Sequence, residues 1–220
     1  MNKFTDIGIV IVAAGSSSRF GEQDKLTLKL NSKPLFTHCI ETFSKIIPLE
    51  NIVVVASEER LEELQTIIQK TLALSIKVTA GGKQRSDSSL NGLKALPGHL
   101  KFAAVHDAAR PFLTVESFIK CYESLKKHGS AVLAHPVTDT IKVVGTGLKV
   151  QSTPARDTLF AAETPQMFNR QDLIEAYTNK PADINITDEA MAMEISGHSV
   201  YLAVHESDNR KITYLKDLEK

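Results

Sequence analysis

The sequence has no apolar stretch close to the ~20 residues that a membrane-spanning helix needs, and no internal repeat or low-complexity tract. It has no excess charge either: 26 basic and 26 acidic side chains cancel. Nothing in the overall field therefore steers the chain toward nucleic acid or an anionic membrane, and phosphate binding must come from local constellations. Cysteine is scarce. Cys39 and Cys121 show no metal-type spacing, and two isolated thiols suit reduced core residues of a cytoplasmic protein better than a disulfide. The histidines form no His-Glu-x-x-His or other paired-ligand spacing. Lys3 followed by the apolar run Ile7–Ala14 has the outline of a secretory signal, but the run is short, Asp6 interrupts its approach and Gly15 leads into Ser16, Ser17, Ser18 and Arg19. A buried first strand accounts for it better.

What is present is an ordinary globular composition, 42% hydrophobic and 24% charged over 220 residues, enough for one sizeable core in a single domain spanning 1–220. Short β-branched runs alternate with amphipathic segments through the first two thirds. Strands are expected at Ile7–Ala14, Asn51–Ala56, Ile76–Thr79 and Phe102–His106. Helices are expected around Pro34–Phe43, after Ser57 (as cap) with the stripe Leu61, Leu64, Ile68 and Leu72, over Arg85–Ala95 and over Val115–Lys127. Continuous apolar strands separated by helices predict an α/β fold with a mostly parallel, doubly wound sheet. After His128 the rhythm changes. Ala131–Pro136, Thr140–Val144 and Leu148–Val150 read as strands, with Gly145-Thr146-Gly147 turning between the last two. No helix intervenes, which predicts a β-hairpin arm extruded at about 137–160. Helices return at Arg170–Tyr177 and Asp188–Glu194, a strand follows at Val200–Val204, and the chain loosens around Asn179–Asp183.

Three constellations carry chemistry. Ala13-Ala14-Gly15-Ser16-Ser17-Ser18-Arg19, with Lys25 beyond, ends a strand in small residues whose N–H groups can face phosphate oxygens. It is not a Walker loop, since no Gly-Lys-Ser/Thr closes it, nor a dinucleotide loop, since the second glycine is missing. Gly81-Gly82-Lys83-Gln84-Arg85-Ser86-Asp87-Ser88 suits close approach to a base and ribose, or else a turn capped by Ser86 or Asp87. Val105-His106-Asp107-Ala108-Ala109-Arg110-Pro111 ends the fourth strand, where ligands of open α/β sheets gather. Asp107 there can hold Mg²⁺ between triphosphate oxygens, and Arg110 can meet a phosphate bidentately. His106, next to Asp107, points to the opposite face of the strand and reads as a core or supporting histidine.

Taken in order, these segments resemble the 2-C-methyl-D-erythritol 4-phosphate cytidylyltransferase family of the non-mevalonate isoprenoid pathway. Further pieces of the resemblance are Asp139-Thr140, Thr164-Pro165-Gln166, Thr187-Asp188-Glu189-Ala190 and Asp208-Asn209 with Lys211. The family's Pro-Lys-Gln around the second loop lysine is absent, Lys25 lying between Asp24 and Leu26. The resemblance implies a Rossmann-like nucleotidyltransferase fold, CTP and a sugar-alcohol phosphate as substrates, Mg²⁺ as cofactor, and a homodimer clasped through the β-arm. It implies that Ala13, Ala14, Gly15, Gly82, Ser88 and Ala108 hold CTP. Arg19, Lys25 and Lys211 would stabilise the transferring phosphorus, and Asp107, Arg110, Thr140, Arg156, Thr164 and Thr187 would surround metal and acceptor. Two other readings stay open: a ribitol 5-phosphate cytidylyltransferase sharing the nucleotide loops, and a catalytically silent nucleotide-binding module.

Overall fold

The computed structural model describes residues 4–15, 26–181 and 183–218. Its centre is a seven-stranded sheet built on β1 (Ile7–Val12). β4 (Ile52–Ala56) and β6 (Phe102–Asp107) flank β1 in parallel, and β5 (Lys77–Ala80) extends the sheet beyond β4. β1, β4 and most of β6 are continuous apolar runs because helices cover both of their faces, whereas β5 at the edge is more polar. Alternation along β1 divides the core in two. Ile7, Ile9 and Ile11 pack with Phe36, Ile40 and Phe43 of α1 (Leu35–Ser44), Leu64 and Ile68 of α2 (Leu61–Leu72), and Phe118 and Leu125 of α4 (Val115–His128). Val10 packs on the other face with Leu93 of α3 (Arg85–Ala95), Leu173 of α5 (Arg170–Thr178) and Met193 of α6 (Glu189–Ile195). α3 lies close to the sheet at Gly92, where a Cβ would stand 2.3 Å from Val10 and 2.7 Å from Val55.

The predicted α/β architecture is present, with one addition. β10 (Phe160–Asn169) runs antiparallel between β6 and β7 (Ser130–Pro136), and β11 (Leu202–Val204) lies parallel to β7 at the edge. The sheet is thus mixed. β10 escapes a pattern search because Glu163, Thr164, Pro165 and Gln166 break its apolar alternation, although all four are buried. A register shift between Ala162 and Gln166 marks the same spot, and it turns polar side chains inward beside the carboxyl end of β6.

Other boundaries moved. Ser57 makes no side-chain cap bond; a 3-10 turn over Glu58–Arg60 intervenes before α2. The N-cap of α3 is Gln84 and not Ser86, and Asp87 takes part in the cap as expected, its carboxylate accepting the Gln84 backbone N–H in a capping box. A small hairpin of β2 (Lys29–Leu30) and β3 (Lys33–Pro34) was not anticipated. Ala131–Pro136, read as the first strand of the hairpin region, belongs to the central sheet as part of β7. Within that region only β8 (Val143–Val144) and β9 (Val150–Ser152) pair as a separate hairpin. Leu148, expected to open the last strand, sits in the turn with φ of 61° and is 81% exposed. Within the expected loose segment after α5, Ala182 lies outside the described residues. No helix among the described residues is long and apolar enough to cross a membrane.

Candidate functional site

The carboxyl ends of β1, β5 and β6 open into a cavity of about 370 Å³. Ala13, Ala14 and Gly15 form one wall, Gly82–Arg85 with Ser88 a second, and Asp107, Ala109 and Lys211 the floor and far side. The first two walls nearly touch. At Gly81 a Cβ would stand 2.6 Å from Ser88 Oγ and 2.7 Å from Ala14 Cβ, so a side chain there would force the loops apart. The Gly82 N–H donates to Ser88 Oγ over 3.1 Å. Of the residues expected to hold nucleotide, Ala108 alone does not line the cavity; it is fully buried, and its N–H donates to Val12 O over 3.1 Å. Arg19 and Lys25 lie outside the described residues.

Asp107 is the charged centre. One carboxylate oxygen accepts from Arg85 Nη2 at 3.2 Å and the other from Lys211 Nζ at 2.7 Å. Burial alone would push this carboxyl up, but Arg85, then Lys211 and Arg110, hold it well below the usual carboxylate range. Arg85 also grips Glu189 with both guanidinium nitrogens, at 2.9 and 3.0 Å. Glu189 is fully buried and accepts further bonds from Ser89 Oγ and Tyr177 Oη, each at 2.8 Å. Burial would lower the Arg85 pKa, yet Glu189 and then Asp107 raise it far above its ordinary value. Arg85 stands beside a glycine pair, a visible signal; nothing in the sequence betrays that Glu189 is buried.

A second, shallower cleft of about 670 Å³ lies on the other side of Lys211, which borders both. Arg110 lines it, its Nη1 donating to Asn209 O at 2.8 Å and lying 3.5 Å from Glu163 Oε1. Thr164 is 4% exposed, and its hydroxyl is occupied between the Asp107 N–H and His106 Nδ1, so it shapes the floor rather than presenting to a ligand. Thr187 is exposed beside Met191, outside both cavities. Thr140 and Arg156 are likewise exposed and line neither; Arg156 Nη1 donates to Thr138 O at 3.0 Å. The structure therefore gathers Ala13, Ala14, Gly15, Gly82, Ser88, Asp107, Arg110 and Lys211 around the paired cavities, with Thr164 beneath. Cys39 and Cys121 are free and buried, and burial pushes the Cys39 thiol up to about 12.

The donor set suits Mg²⁺ held chiefly by substrate phosphates. Asp107 is the one carboxylate among the described residues lining the first cavity, and Mg²⁺ is typically bound through one or two carboxylates plus phosphate oxygens. Of the two cations on Asp107, Lys211 is 40% exposed and free to swing off Oδ2, whereas Arg85 is anchored by Glu189.

The chain is also similar to proteins of known family. The profile of the 2-C-methyl-D-erythritol 4-phosphate cytidylyltransferase family matches residues 7–220. The chain is 34% identical to the enzyme of that name from Alkaliphilus oremlandii, over 99% of this chain and 94% of the relative. It is 37% identical to the Clostridioides difficile enzyme, over 96% and 90%. The solved 4-diphosphocytidyl-2C-methyl-D-erythritol synthase of Anaerococcus prevotii superposes with a TM-score of 0.83 at 26% identity, covering 99% of this chain and 95% of that one. The Francisella tularensis cytidylyltransferase gives 0.79 at 29%, covering 97% of each. With a match running from β1 to the last residue, the chain belongs to the 2-C-methyl-D-erythritol 4-phosphate cytidylyltransferase family.

Proposed function

We propose that this protein transfers CMP from CTP to 2-C-methyl-D-erythritol 4-phosphate, giving 4-diphosphocytidyl-2-C-methyl-D-erythritol and pyrophosphate. The observation that carries the proposal is Lys211, which borders both cavities and contacts Asp107. CTP occupies the smaller cavity, framed by Ala13–Gly15 and Gly82–Ser88, and the acceptor phosphate lies in the wider cleft near Arg110. A phosphate oxygen of the acceptor attacks the α-phosphorus; that P–O bond forms as the bond to the β-phosphate oxygen breaks, and pyrophosphate leaves. Two anions meet in this step, so the protein's contribution is positioning and charge stabilisation rather than covalent chemistry. Lys211 supplies charge at the junction, and Arg19 and Lys25 supply it from the first loop. Arg110 clamps the acceptor, and Glu189 holds Arg85 so that Asp107 stays fixed and ionised. Mg²⁺, held by Asp107 with the triphosphate, neutralises phosphate charge when bound.

The protein works as one nucleotidyltransferase domain over 1–220 in a cytoplasmic homodimer, joined through the arm that presents Ile141, Val143, Val144 and Val150 to solvent. The free, buried thiols support the compartment. Pyrophosphate release with Mg²⁺ tests the function. CTP should far outpace UTP and ATP, and methylerythritol phosphate should outpace ribitol 5-phosphate. Comparable turnover with ATP, or preference for the ribitol acceptor, would overturn the corresponding half.

A further inference from the structure

Beside the second cleft, three metal-ligating side chains converge from distant points of the sequence. His135 lies on β7, Glu163 on β10 and His205 just past β11. Strand pairing brings them together: His135 is opposite Ala161, Val204 is level with Ala134, and the His205 N–H donates to Ala134 O at 3.1 Å. The register shift after Ala162 carries Glu163 into the group. His135 Nδ1 is 2.9 Å from Glu163 Oε1, and His205 Nε2 is 3.0 Å from Oε2. All three ligand atoms fall within 4.8 Å of one another, and among the described residues this is the one such group of three or more.

We propose that His135, Glu163 and His205 form a binding site for a divalent transition-metal ion of the zinc class, distinct from the Asp107 site, with an open coordination position toward the second cleft. Two imidazoles and a carboxylate are the donor set of open zinc sites, which keep a fourth position for an outside ligand. Two nitrogen donors also disfavour Mg²⁺, which prefers oxygen, so the site discriminates against the ion expected on the triphosphate. Ligand atoms about 2.0 Å from a tetrahedral ion stand about 3.3 Å apart. Here the two imidazole nitrogens lie 2.9 and 3.0 Å from opposite oxygens of Glu163 and the ligand atoms lie within 4.8 Å of one another, so the half-exposed His135 ring closes the group around an ion.

The surroundings are arranged as a metal site requires. Glu163 and His205 are 4% and 2% exposed, whereas the His135 side chain is 46% exposed and able to turn toward an ion. His205 Nδ1 faces Ser207 Oγ at 2.9 Å. With its proton placed there, the ring directs a bare Nε2 at the site, the outer hydrogen bond that orients metal-bound imidazoles. Asn209 Nδ2 donates to Glu163 Oε2 at 2.6 Å and holds the carboxylate in place. Arg110 Nη1 pairs with Glu163 Oε1 at 3.5 Å, longer than a strong hydrogen bond, so a metal ion would share the carboxylate with this one guanidinium.

The test uses the full chain, stripped with chelator and free of nucleotide, titrated calorimetrically with Zn²⁺ alone. Because no CTP is present, the outcome is independent of the transferase proposal. About one Zn²⁺ should bind per chain, and Zn²⁺ should raise the thermal midpoint. His135→Ala alters a half-exposed side chain and leaves the fold intact, which circular dichroism verifies. It should weaken binding roughly a hundredfold or more, the upper end of what losing even an outer partner costs, and abolish the thermal shift. Glu163→Gln should do the same. Co²⁺ in place of zinc should give a visible spectrum without thiolate charge transfer, excluding Cys39 and Cys121. No Zn²⁺ binding by the wild type, or binding that survives His135→Ala, would overturn the proposal.

Discussion

The Thr164 hydroxyl lies 3.1 Å from His106 Nδ1, a contact that ties a buried imidazole to the floor of the site. Thr164 Oγ accepts the Asp107 N–H at 3.0 Å and has its own proton to offer Nδ1. His106 Nε2 faces the Arg110 carbonyl at 3.1 Å, where only an N–H can bond. In the neutral ring that burial favours, the proton therefore sits on Nε2 and Nδ1 accepts from Thr164, and one chain of bonds links the backbones of Asp107 and Arg110 through Thr164 and His106. Burial pushes the His106 pKa down to about 4, with the bond to Arg110 O only partly opposing it. His106 is thus a positioning residue and not the base that its place beside Asp107 suggests.

A pH dependence of stability follows. Between pH ~6.5 and ~4 the unfolded chain takes up a proton that native His106 refuses, so stability is full above the unfolded value and falls as pH drops through this window. The depressed value implies a loss of about 3 kcal/mol by the lower end. Asp107 adds a loss of the same sign at still lower pH, once its carboxyl protonates in the unfolded chain. Urea denaturation at a series of pH values checks this, and His106→Gln should flatten the slope between pH ~6.5 and ~4. An unchanged slope in the variant would assign the dependence to other groups.

Glu189 carries the second prediction. It is fully buried and is held by Arg85, Ser89 and Tyr177. Glu189→Gln keeps the shape but leaves Arg85 with Asp107 as its only counter-charge. Breaking a buried pair from one side costs about 3–5 kcal/mol, and turnover should fall as well, because Arg85 no longer holds Asp107 in place. A loss below about 1 kcal/mol in urea denaturation would mean that Asp107 alone satisfies Arg85.

The parallel half of the sheet and its three ligand loops were legible because its strands are short and mostly apolar, β1 and β4 wholly so, and lead into glycine, alanine or aspartate. β10 was not. Its buried centre, Glu163-Thr164-Pro165-Gln166, is as polar as a loop and acquires partners such as His106, Asn209, His205 and Asp188, which the fold brings from elsewhere. The same limit hid Glu189, whose partners Arg85 and Ser89 are 104 and 100 residues away. Asp107, Arg110 and Lys211 were legible because charge beside a strand end or in a recognisable motif carries its own signal; the burial of Glu189 and its pairing with Arg85 are set only by the fold.

Lys211 should matter more to turnover than to binding. Its ammonium stands between the two cavities, 2.7 Å from Asp107, where charge shifts during transfer. Lys211→Ala should lower kcat about a hundredfold, or roughly 3 kcal/mol, with a smaller change in the KM for CTP. Arg19→Ala and Lys25→Ala should behave in the same way. A raised KM with normal kcat in steady-state assays would reassign the residue concerned to ground-state binding.

Arg156 gives the last prediction. In its own chain it is exposed, donates to Thr138 O and lines neither cavity. It follows a hairpin whose Ile141, Val143, Val144 and Val150 are between 40% and 52% exposed, an apolar surface that a second copy of the arm would cover. Two-fold symmetry would then place each arm over its neighbour's cleft, with Arg156 clamping that neighbour's acceptor phosphate. Asp107→Asn and Arg156→Ala, each inactive alone, should complement when mixed under conditions that allow subunit exchange. Random pairing makes about half the dimers mixed, and each mixed dimer holds one site with both residues intact, so about a quarter of wild-type activity should return. If Arg156 serves its own subunit instead, every site carries one lesion and mixing restores nothing.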